Sequence, residues 1–150
     1  MSLYLAIEGV DGAGKSTVCR ELADALAAEG RRVRVVREPG GTEVGEEIRQ
    51  VLLHGHDMTP WAEALLFAAQ RAQLAAEVVS PALDRGEVVI SDRSYYSSLA
   101  YQGGARGLGI EAVRTVNELA LGGVIPDLVV VLWTDPEEAL ARQNVVDRIG

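Results

Sequence analysis

The feature that most constrains this chain is a glycine-rich stretch near its amino terminus. Residues 9–16 read GVDGAGKS and fit the pattern G-x-x-x-x-G-K-[ST]. A short apolar strand is predicted directly before this stretch, and a helix with regularly spaced apolar residues is predicted after it. Such a loop can curl so that successive backbone N–H groups face an anion at the positive end of the helix. The sequence therefore predicts a site for a nucleoside triphosphate.

The loop residues have separate predicted roles in binding ATP. Lys15 is expected to reach the β- and γ-phosphates, and the Ser16 hydroxyl can ligate Mg²⁺. Lys15 is also the only lysine among the fourteen basic residues of the chain. The predicted ATP-binding residues are Gly9, Val10, Asp11, Gly12, Ala13, Gly14, Lys15, Ser16 and Thr17.

Apolar strands alternate with helical segments along the whole chain. Short strands are predicted at residues 4–8, 33–36, 88–90 and 128–132, and apolar residues recur at helical spacing between them. Because each strand is apolar throughout, we expect a parallel sheet with helices on both faces. The predicted fold is a three-layer α/β P-loop NTPase fold, with residues 1–150 forming one domain.

The composition excludes several classes of function. A net charge of −8 argues against a protein held on nucleic acid by diffuse attraction to phosphates. No apolar run has the length of a membrane span, and the amino terminus carries no recognisable secretory signal. With one cysteine, Cys19, an internal disulfide is impossible, so we expect a cytoplasmic protein.

A second polar group follows the strand predicted at residues 88–90. Asp92 and Arg93 come at the carboxyl end of that strand, where open parallel sheets bind ligands. Asp92 suits a Mg²⁺ ligand beside Ser16, and Arg93 offers a planar fork for a phosphate. The alternative is an ordinary surface pair of opposite charges.

Seven short motifs in order give the chain a more specific resemblance. They are GVDGAGKS at 9–16, REPGGT at 37–42, LFAAQR at 66–71, DRSYYSSLAYQG at 92–103, RGL at 106–108, PDL at 126–128 and DRI at 147–149. In order and spacing these motifs are similar to those of bacterial thymidylate kinases, which are P-loop nucleoside monophosphate kinases. The resemblance covers nearly the whole chain. It implies an enzyme that phosphorylates dTMP with ATP and Mg²⁺ and forms a homodimer.

The resemblance also implies roles for residues that match these motifs. Phe67 would stack on thymine, Arg71 would reach the dTMP phosphate or base edge, and Tyr101 would crowd the 2′ position of the sugar. Arg93 would hold the acceptor phosphate and act in catalysis together with Lys15 and Asp11. The implied dTMP-binding residues are Asp11, Glu38, Pro39, Phe67, Arg71, Arg93, Ser97, Ser98, Tyr101 and Gln102.

The resemblance implies a more specific role for six of these residues. Asp11 would bind the deoxyribose 3′-hydroxyl, while Glu38 and Pro39 would form one wall of the pocket. Ser97 and Ser98 would hydrogen-bond the base, and Gln102 would close over it. For Phe67 the helical pattern alone favours a core residue, and for Arg71 a solvated helix surface is an equal alternative.

Other functions are compatible with the phosphate loop alone. A GTPase-like switch protein would use the same loop, but it normally reads guanine with Asn-Lys-x-Asp, and this chain has no second lysine. A kinase for another nucleoside monophosphate is the remaining alternative within the enzyme class.

The chain departs from the family pattern near its carboxyl end. Family members with alanine at the position of Ala13 usually carry catalytic arginines in a mobile lid. Here the stretch from Leu140 to Asp147 is shorter than the family spacing, and Arg142 and Arg148 are the only candidate lid arginines. Family members also continue with a fifth strand and closing helices. We therefore expect further residues between Arg142 and Asp147 and after residue 150.

Overall fold

Four parallel strands form one sheet in the computed structural model, which describes residues 1–143 and 148. The strands are β1 (Leu3–Glu8), β2 (Val33–Arg37), β3 (Val88–Asp92) and β4 (Leu128–Val131). Their order across the sheet is β2-β3-β1-β4, and every neighbouring pair is parallel. The four predicted strands are confirmed. Because all strands run in one direction, the loops that follow them meet at one edge of the sheet.

Seven α-helices and two π-helical segments cover the described part of this sheet. The α-helices are α1 (Lys15–Ala28), α2 (Glu43–His54), α3 (Pro60–Leu74), α4 (Ser80–Asp84), α5 (Tyr95–Ser98), α6 (Ile110–Leu121) and α7 (Pro136–Arg142), and the π-helical segments are Ala75–Val79 and Leu99–Ala105. Thr42 caps α2 by accepting from the Gly45 N–H at 2.8 Å. Thr59 caps α3 in the same way through the Ala62 N–H, at 3.3 Å, with Pro60 as the first helical residue. The sequence predicts both caps, because each threonine directly precedes a run of apolar residues at helical spacing, and the structure confirms them.

Successive strand residues pack against different helices on the two faces of the sheet. One core contains Leu5, Ile7, Val88 and Ile90 with Cys19 of α1. The other core joins Tyr4, Val36 and Val89 to side chains from α3, α4 and the first π-helical segment, namely Leu74, Val79 and Ala82. The three-layer α/β architecture follows from these two cores. In the part of the chain that the structure describes, no helix is both long and apolar enough to cross a membrane.

One predicted helix is divided in the structure. Apolar spacing predicts a single helix from Thr59 toward Val79, but α3 ends at Leu74 and a π-helical turn follows. Pro81 lies just beyond this turn and has no N–H for the carbonyl four residues earlier. A π-helical turn is one residue wider than an α-helical turn. Widening the turn before Pro81 removes the need for a hydrogen bond from its nitrogen, which explains the π-helical geometry.

The strand β4 is more exposed than β1 and β3, although all three are apolar. Leu128 and Val131 have 53% and 66% of their surface exposed, whereas Ile7 and Ile90 are buried. This difference arises because β4 is the outermost strand on its side of the described sheet. The fifth strand stays a prediction. The extra lid residues are expected between Arg142 and Asp147. Positions 144–147 lie outside the described residues.

Candidate functional site

The phosphate loop connects the end of β1 to the start of α1, as its sequence predicts. Gly12 and Gly14 have φ angles of 81° and 93°, a backbone conformation that favours glycine. At position 12 a β-carbon would also collide with the carbonyl group of Ala139 in α7. Glycine is therefore required here both for the curl of the loop and for the close approach of α7.

Lys15 lies buried at the bottom of this loop. Its Nζ donates to the Val10 carbonyl at 2.8 Å and lies 4.0 Å from Oδ1 of Asp11. Burial lowers the pKa of Lys15, and the positive charge of Arg93 adds to this effect, while Asp11 opposes it. The ammonium group is thus held by loop atoms at the place where the β- and γ-phosphates are expected.

Arg93 connects β3 to the phosphate loop. Its backbone has a positive φ of 74°, unusual for a residue other than glycine, and its N–H donates to the Ile7 carbonyl at 2.9 Å. The guanidinium donates through Nη1 to the Gly9 carbonyl at 3.1 Å and through Nη2 to Asp11. Asp11, Lys15 and Arg93, the three residues that the resemblance implies for catalysis, therefore form one charged group, and their catalytic role stays a prediction.

The two predicted metal ligands lie beside this charged group. Ser16 and Asp92 both line the cavity next to Lys15. Burial raises the pKa of Asp92, whereas the charges of Lys15 and Arg93 oppose that rise. A hydroxyl and a carboxylate are hard oxygen donors of the kind that Mg²⁺ accepts.

A second polar cluster lies under the predicted acceptor pocket and is centred on Arg71. Its Nε donates to Oε1 of Glu38 at 2.5 Å, and Nη1 donates to Ser98 Oγ at 2.6 Å and to Oδ1 of Asn117 at 3.0 Å. Nη2 donates to the Ser94 carbonyl at 3.0 Å. Arg71 is 1% exposed, so the alternative of a solvated surface arginine is wrong. Burial raises the pKa of Glu38, and the Arg71 guanidinium opposes this.

Three further predicted residues surround the same space. The ring of Phe67 lines the cavity, with Arg71 Cζ 5.6 Å from its centroid. The centroid of the Tyr101 ring lies 5.6 Å from Arg93 Cζ. Gln102 donates to Oε1 of Glu63 at 2.8 Å and is buried, so its side chain forms part of the pocket wall.

These residues enclose one cavity of about 830 Å³ that runs from the phosphate loop to α3. The predicted residues that line it are Val10, Asp11, Gly12, Gly14, Lys15, Ser16, Glu38, Pro39, Phe67, Arg71, Asp92, Arg93, Ser97, Ser98, Tyr101, Gln102 and Arg142. Gly9, Ala13 and Thr17 belong to the loop or to the first turn of α1, but they do not line the cavity.

Two serines predicted to bond the base are already engaged within the protein. Ser97 Oγ donates to Oε2 of Glu8 at 2.6 Å and accepts from Nη1 of Arg93 at 3.1 Å. Ser98 Oγ accepts from Arg71. Both serines line the cavity, and their contact with a base stays a prediction.

The two candidate lid arginines lie in different places. Arg142, the last residue of α7, donates to the Gly12 carbonyl at 3.4 Å and lines the cavity. Arg148 donates instead to Oε2 of Glu63 and to the Leu52 carbonyl, both at 2.7 Å. The structure therefore brings Arg142, but not Arg148, to the phosphate loop.

Three of the buried or cavity-lining residues that sequence reasoning missed make polar contacts at the site. Glu8 accepts hydrogen bonds from Ser94 and Ser97 at the end of β1. Arg49 lines the cavity and donates to the Pro39 carbonyl at 2.7 Å. Asn117 could have been found from its spacing, because it lies four residues from both Val113 and Leu121 on the buried face of α6. A buried amide at such a position needs a polar partner.

Comparison with known proteins gives one consistent result. The family described as thymidylate kinase matches residues 7–148. A thymidylate kinase of Chlorobium luteolum is 51% identical over 142 residues, which cover 94% of this chain and 66% of that protein. One from Thermoanaerobacter sp. is 45% identical over 94% of this chain and 70% of its own length. The crystal structure of thymidylate kinase from Ehrlichia chaffeensis has a TM-score of 0.85 and 32% identity, covering 94% of this chain and 81% of that one. The chain thus spans about two thirds of the length of the curated relatives.

Proposed function

This chain belongs to the thymidylate kinase family, and from that premise we propose that it transfers the γ-phosphate of ATP to dTMP. The observation that supports this most directly is the continuous cavity between the phosphate loop and α3. Lys15 lies at one side of this cavity, Phe67 and Arg71 lie at the other, and Arg93 lines the same space. A kinase must bring a donor phosphate and an acceptor phosphate together, and one continuous cavity permits that meeting.

The proposed phosphoryl transfer mainly requires positive charge around the donor and acceptor phosphates. The acceptor is a phosphate monoester that carries about −1.5 to −2 charge near neutral pH, so it needs no strong general base. The barrier comes from bringing two polyanions together and from the charge on the transferred group. Lys15 would supply counter-charge from a buried position and Arg93 from a half-buried one, where electrostatic interactions are stronger than in water. Phosphate binding would replace the contact of Lys15 with the Val10 carbonyl.

Mg²⁺ would be held by Ser16 and Asp92. In the described portion of the chain, no group of three or more His, Cys, Asp or Glu side chains could hold a metal ion. Mg²⁺ in kinases commonly binds through one or two carboxylates together with substrate phosphates, and a donor set of one hydroxyl and one carboxylate fits that mode. When bound, the ion would neutralise charge on the β- and γ-phosphates.

Acceptor recognition would use the walls near α3. Phe67 would stack on thymine, an interaction worth about 1–3 kcal/mol per base. Arg71 uses four of its five N–H groups on Glu38, Ser98, Asn117 and the Ser94 carbonyl, so its guanidinium plane is fixed before the acceptor binds. Pro39 and Gln102 would form the wall and cover of the pocket, and Tyr101 would exclude a 2′-hydroxyl.

Arg142 is the residue of α7 that we assign to the lid. Its contact with the Gly12 carbonyl brings a guanidinium to the outer side of the phosphate loop. From this position it could approach the transferred phosphoryl group. A positioned arginine of this kind can contribute about 10³–10⁵ in rate.

We also propose a cytoplasmic homodimer. Exposed apolar residues lie at one-turn or two-turn spacing on two helices that pack together, with Val44 and Val51 on α2 and Trp61 and Leu65 on α3. Exposed apolar side chains on neighbouring helices are typical of a protein interface. Leu65→Asp should convert a dimer into a monomer in light scattering, and a wild-type monomer would contradict this proposal.

A panel of acceptors tests the proposed reaction. Purified protein with ATP and Mg²⁺ should phosphorylate dTMP in preference to dCMP, dAMP, dGMP and dUMP, and Lys15→Ala should abolish the product. A preference for another monophosphate would identify a different nucleotide kinase. ATP or GTP hydrolysis without transfer to any acceptor would favour a nucleotide-switch protein. The comparisons do not favour either alternative.

A further inference from the structure

We propose that Glu8 is a positioning residue that aligns Arg93 with the acceptor phosphate through the hydroxyl of Ser97. The inference rests on the proposed function, in which Arg93 binds the phosphate of dTMP. Glu8 is the last residue of β1, directly before the phosphate loop, and its side chain is buried. A buried carboxylate needs several hydrogen bonds to remain charged.

The donors that surround Glu8 all come from the segment after β3. Its Oε1 accepts from the Ser94 N–H at 2.8 Å, from Ser94 Oγ at 2.7 Å and from the Ser97 N–H at 3.2 Å. Its Oε2 accepts from Ser97 Oγ at 2.6 Å. Glu8 therefore holds the residues just after Arg93 against the end of β1.

The groups around Ser97 determine the direction of its hydrogen bonds. A serine hydroxyl has one proton, and the carboxylate of Glu8 can only accept, so the proton points to Glu8. The oxygen of Ser97 is then left as an acceptor for Nη1 of Arg93, which lies 3.1 Å away. Arg93 can only donate, so the Ser97 oxygen must accept from it, and Glu8 keeps the hydroxyl proton of Ser97 in a bond directed away from Arg93.

This arrangement fixes which edge of Arg93 faces the cavity. The two protons of Nη1 are directed to the Gly9 carbonyl and to Ser97. Among the described residues none accepts from Nε, and Nη2 uses one of its protons on Asp11. The Nε and Nη2 edge of the guanidinium is therefore the edge that can take a phosphate in bidentate geometry.

A neutral residue at position 8 would remove the negative charge that orients the hydroxyl of Ser97. Glutamine has the shape of glutamate, but its amide N–H would face the Ser97 oxygen if its carbonyl kept the bonds from Ser94. The hydroxyl proton of Ser97 would then lose its carboxylate partner, and the oxygen would be shared between two donors, the glutamine N–H and Arg93, so the contact that orients Arg93 would weaken. Glu8→Gln keeps the shape of the side chain and removes its negative charge, so the variant tests the effect of the charge alone.

Ser94 and Ser97 offer a matched control. Each donates its hydroxyl proton to the same carboxylate, at 2.7 and 2.6 Å, but only the Ser97 hydroxyl contacts Arg93. Ser94→Ala and Ser97→Ala therefore remove comparable bonds to Glu8, and only the second variant breaks the connection to Arg93. The Ser94 side chain does not line the cavity.

The experiment measures binding of dTMP and of thymidine by calorimetry. Thymidine lacks the phosphate. The Kd of thymidine divided by the Kd of dTMP therefore reports how much the phosphate contact strengthens binding. Arg93→Met should reduce the ratio by about 10- to 100-fold, the usual range for hydrogen bonds to a charged group. Glu8→Gln and Ser97→Ala should each reduce it about 5-fold or more. Glu8 does not line the cavity, so Glu8→Gln should leave the thymidine Kd unchanged. Any loss of a base contact in Ser97→Ala weakens binding of both ligands and cancels in the ratio. Ser94→Ala should stay within about twofold of wild type.

Two results would overturn the inference. In the first, Glu8→Gln and Ser97→Ala keep the wild-type ratio while Arg93→Met loses it. In the second, Ser94→Ala loses as much as Ser97→Ala, so that Glu8 only supports the local fold. If Glu8→Gln does not fold, as judged by circular dichroism, the two serine variants still decide. A wild-type protein that does not bind dTMP more tightly than thymidine would contradict the proposed function itself, and this inference with it.

Discussion

Replacing Glu38 by glutamine should destabilise the fold far more than the same replacement at Glu46. Both glutamates pair with an arginine near the cavity. The pair of Glu38 and Arg71 is 3% and 1% exposed, whereas the pair of Glu46 and Arg37 is 41% and 54% exposed. The two substitutions thus remove one negative charge from similar ion pairs that differ in burial.

The expected magnitudes follow from that burial. Glu38 is the only carboxylate in contact with Arg71 among the residues that the structure describes, because its other partners are Ser98, Asn117 and the Ser94 carbonyl. Removing one partner of a buried pair costs about 3–5 kcal/mol, since the other charge stays buried without compensation. Glutamine can still accept from Arg71 Nε, so we expect the lower end, about 3 kcal/mol. An exposed pair contributes about 0–1 kcal/mol.

Urea denaturation of the three proteins without nucleotides provides the measurement. The free energy of unfolding at neutral pH should fall by about 3 kcal/mol for Glu38→Gln and by less than about 1 kcal/mol for Glu46→Gln. The slope of the transition should remain the same, which shows that stability changed rather than compactness. Equal losses for the two variants, or a loss below about 1 kcal/mol for Glu38→Gln, would refute the reasoning that Arg71 depends on this buried charge.

Four further predictions concern the site. Lys15→Ala should abolish phosphoryl transfer while thermal unfolding stays near wild type, and unchanged turnover would contradict the assignment of the phosphate loop. Phe67→Leu should raise the KM for dTMP about 5-fold or more and lower stability by about 1 kcal/mol, whereas a stability loss with unchanged kinetics would return Phe67 to the core. Tyr101→Ala should narrow the difference in kcat/KM between dTMP and its ribose analogue, and an unchanged ratio would leave Tyr101 a packing residue. The hydrogen bond from the Gly41 N–H, followed by Arg37, lowers the pKa of Glu46. The stabilising effect of the Glu46 carboxylate is therefore complete above about pH 4.3 and is lost as the pH falls through the pKa of Glu46 in the folded state. The small stability difference between wild type and Glu46→Gln should therefore disappear in acid, and a difference that grows in acid would contradict this sign.

The sequence predicted the features that depend on local chemistry. The phosphate loop lies between a strand and a helix because its glycines and the flanking apolar runs specify that geometry. Thr42 and Thr59 cap helices because a hydroxyl at that position can accept an unpaired backbone N–H. All four strands lie where apolar runs predict them, since buried parallel strands need no polar alternation.

Features that depend on tertiary contacts could not be read in the same way. The partner of Arg71 is Glu38, thirty-three residues away, and nothing in either local segment specifies that pair. Glu8 closes an apolar strand, and its role follows only from Ser94 and Ser97, which β3 brings beside it. Arg148 matches the family motif by spacing, yet it contacts Glu63 because the start of α3 offers it a buried carboxylate.

The position of Lys15 also has a practical consequence for labelling the protein. It carries the only ε-amino group of the chain, and that group lies inside the nucleotide cavity. Burial lowers its pKa, which increases the fraction of reactive free amine at a given pH. Apart from the α-amine of Met1, an amine-directed reagent therefore meets one target, and bound nucleotide would shield it. The chain contains its own single-site reporter of whether the nucleotide cavity is occupied.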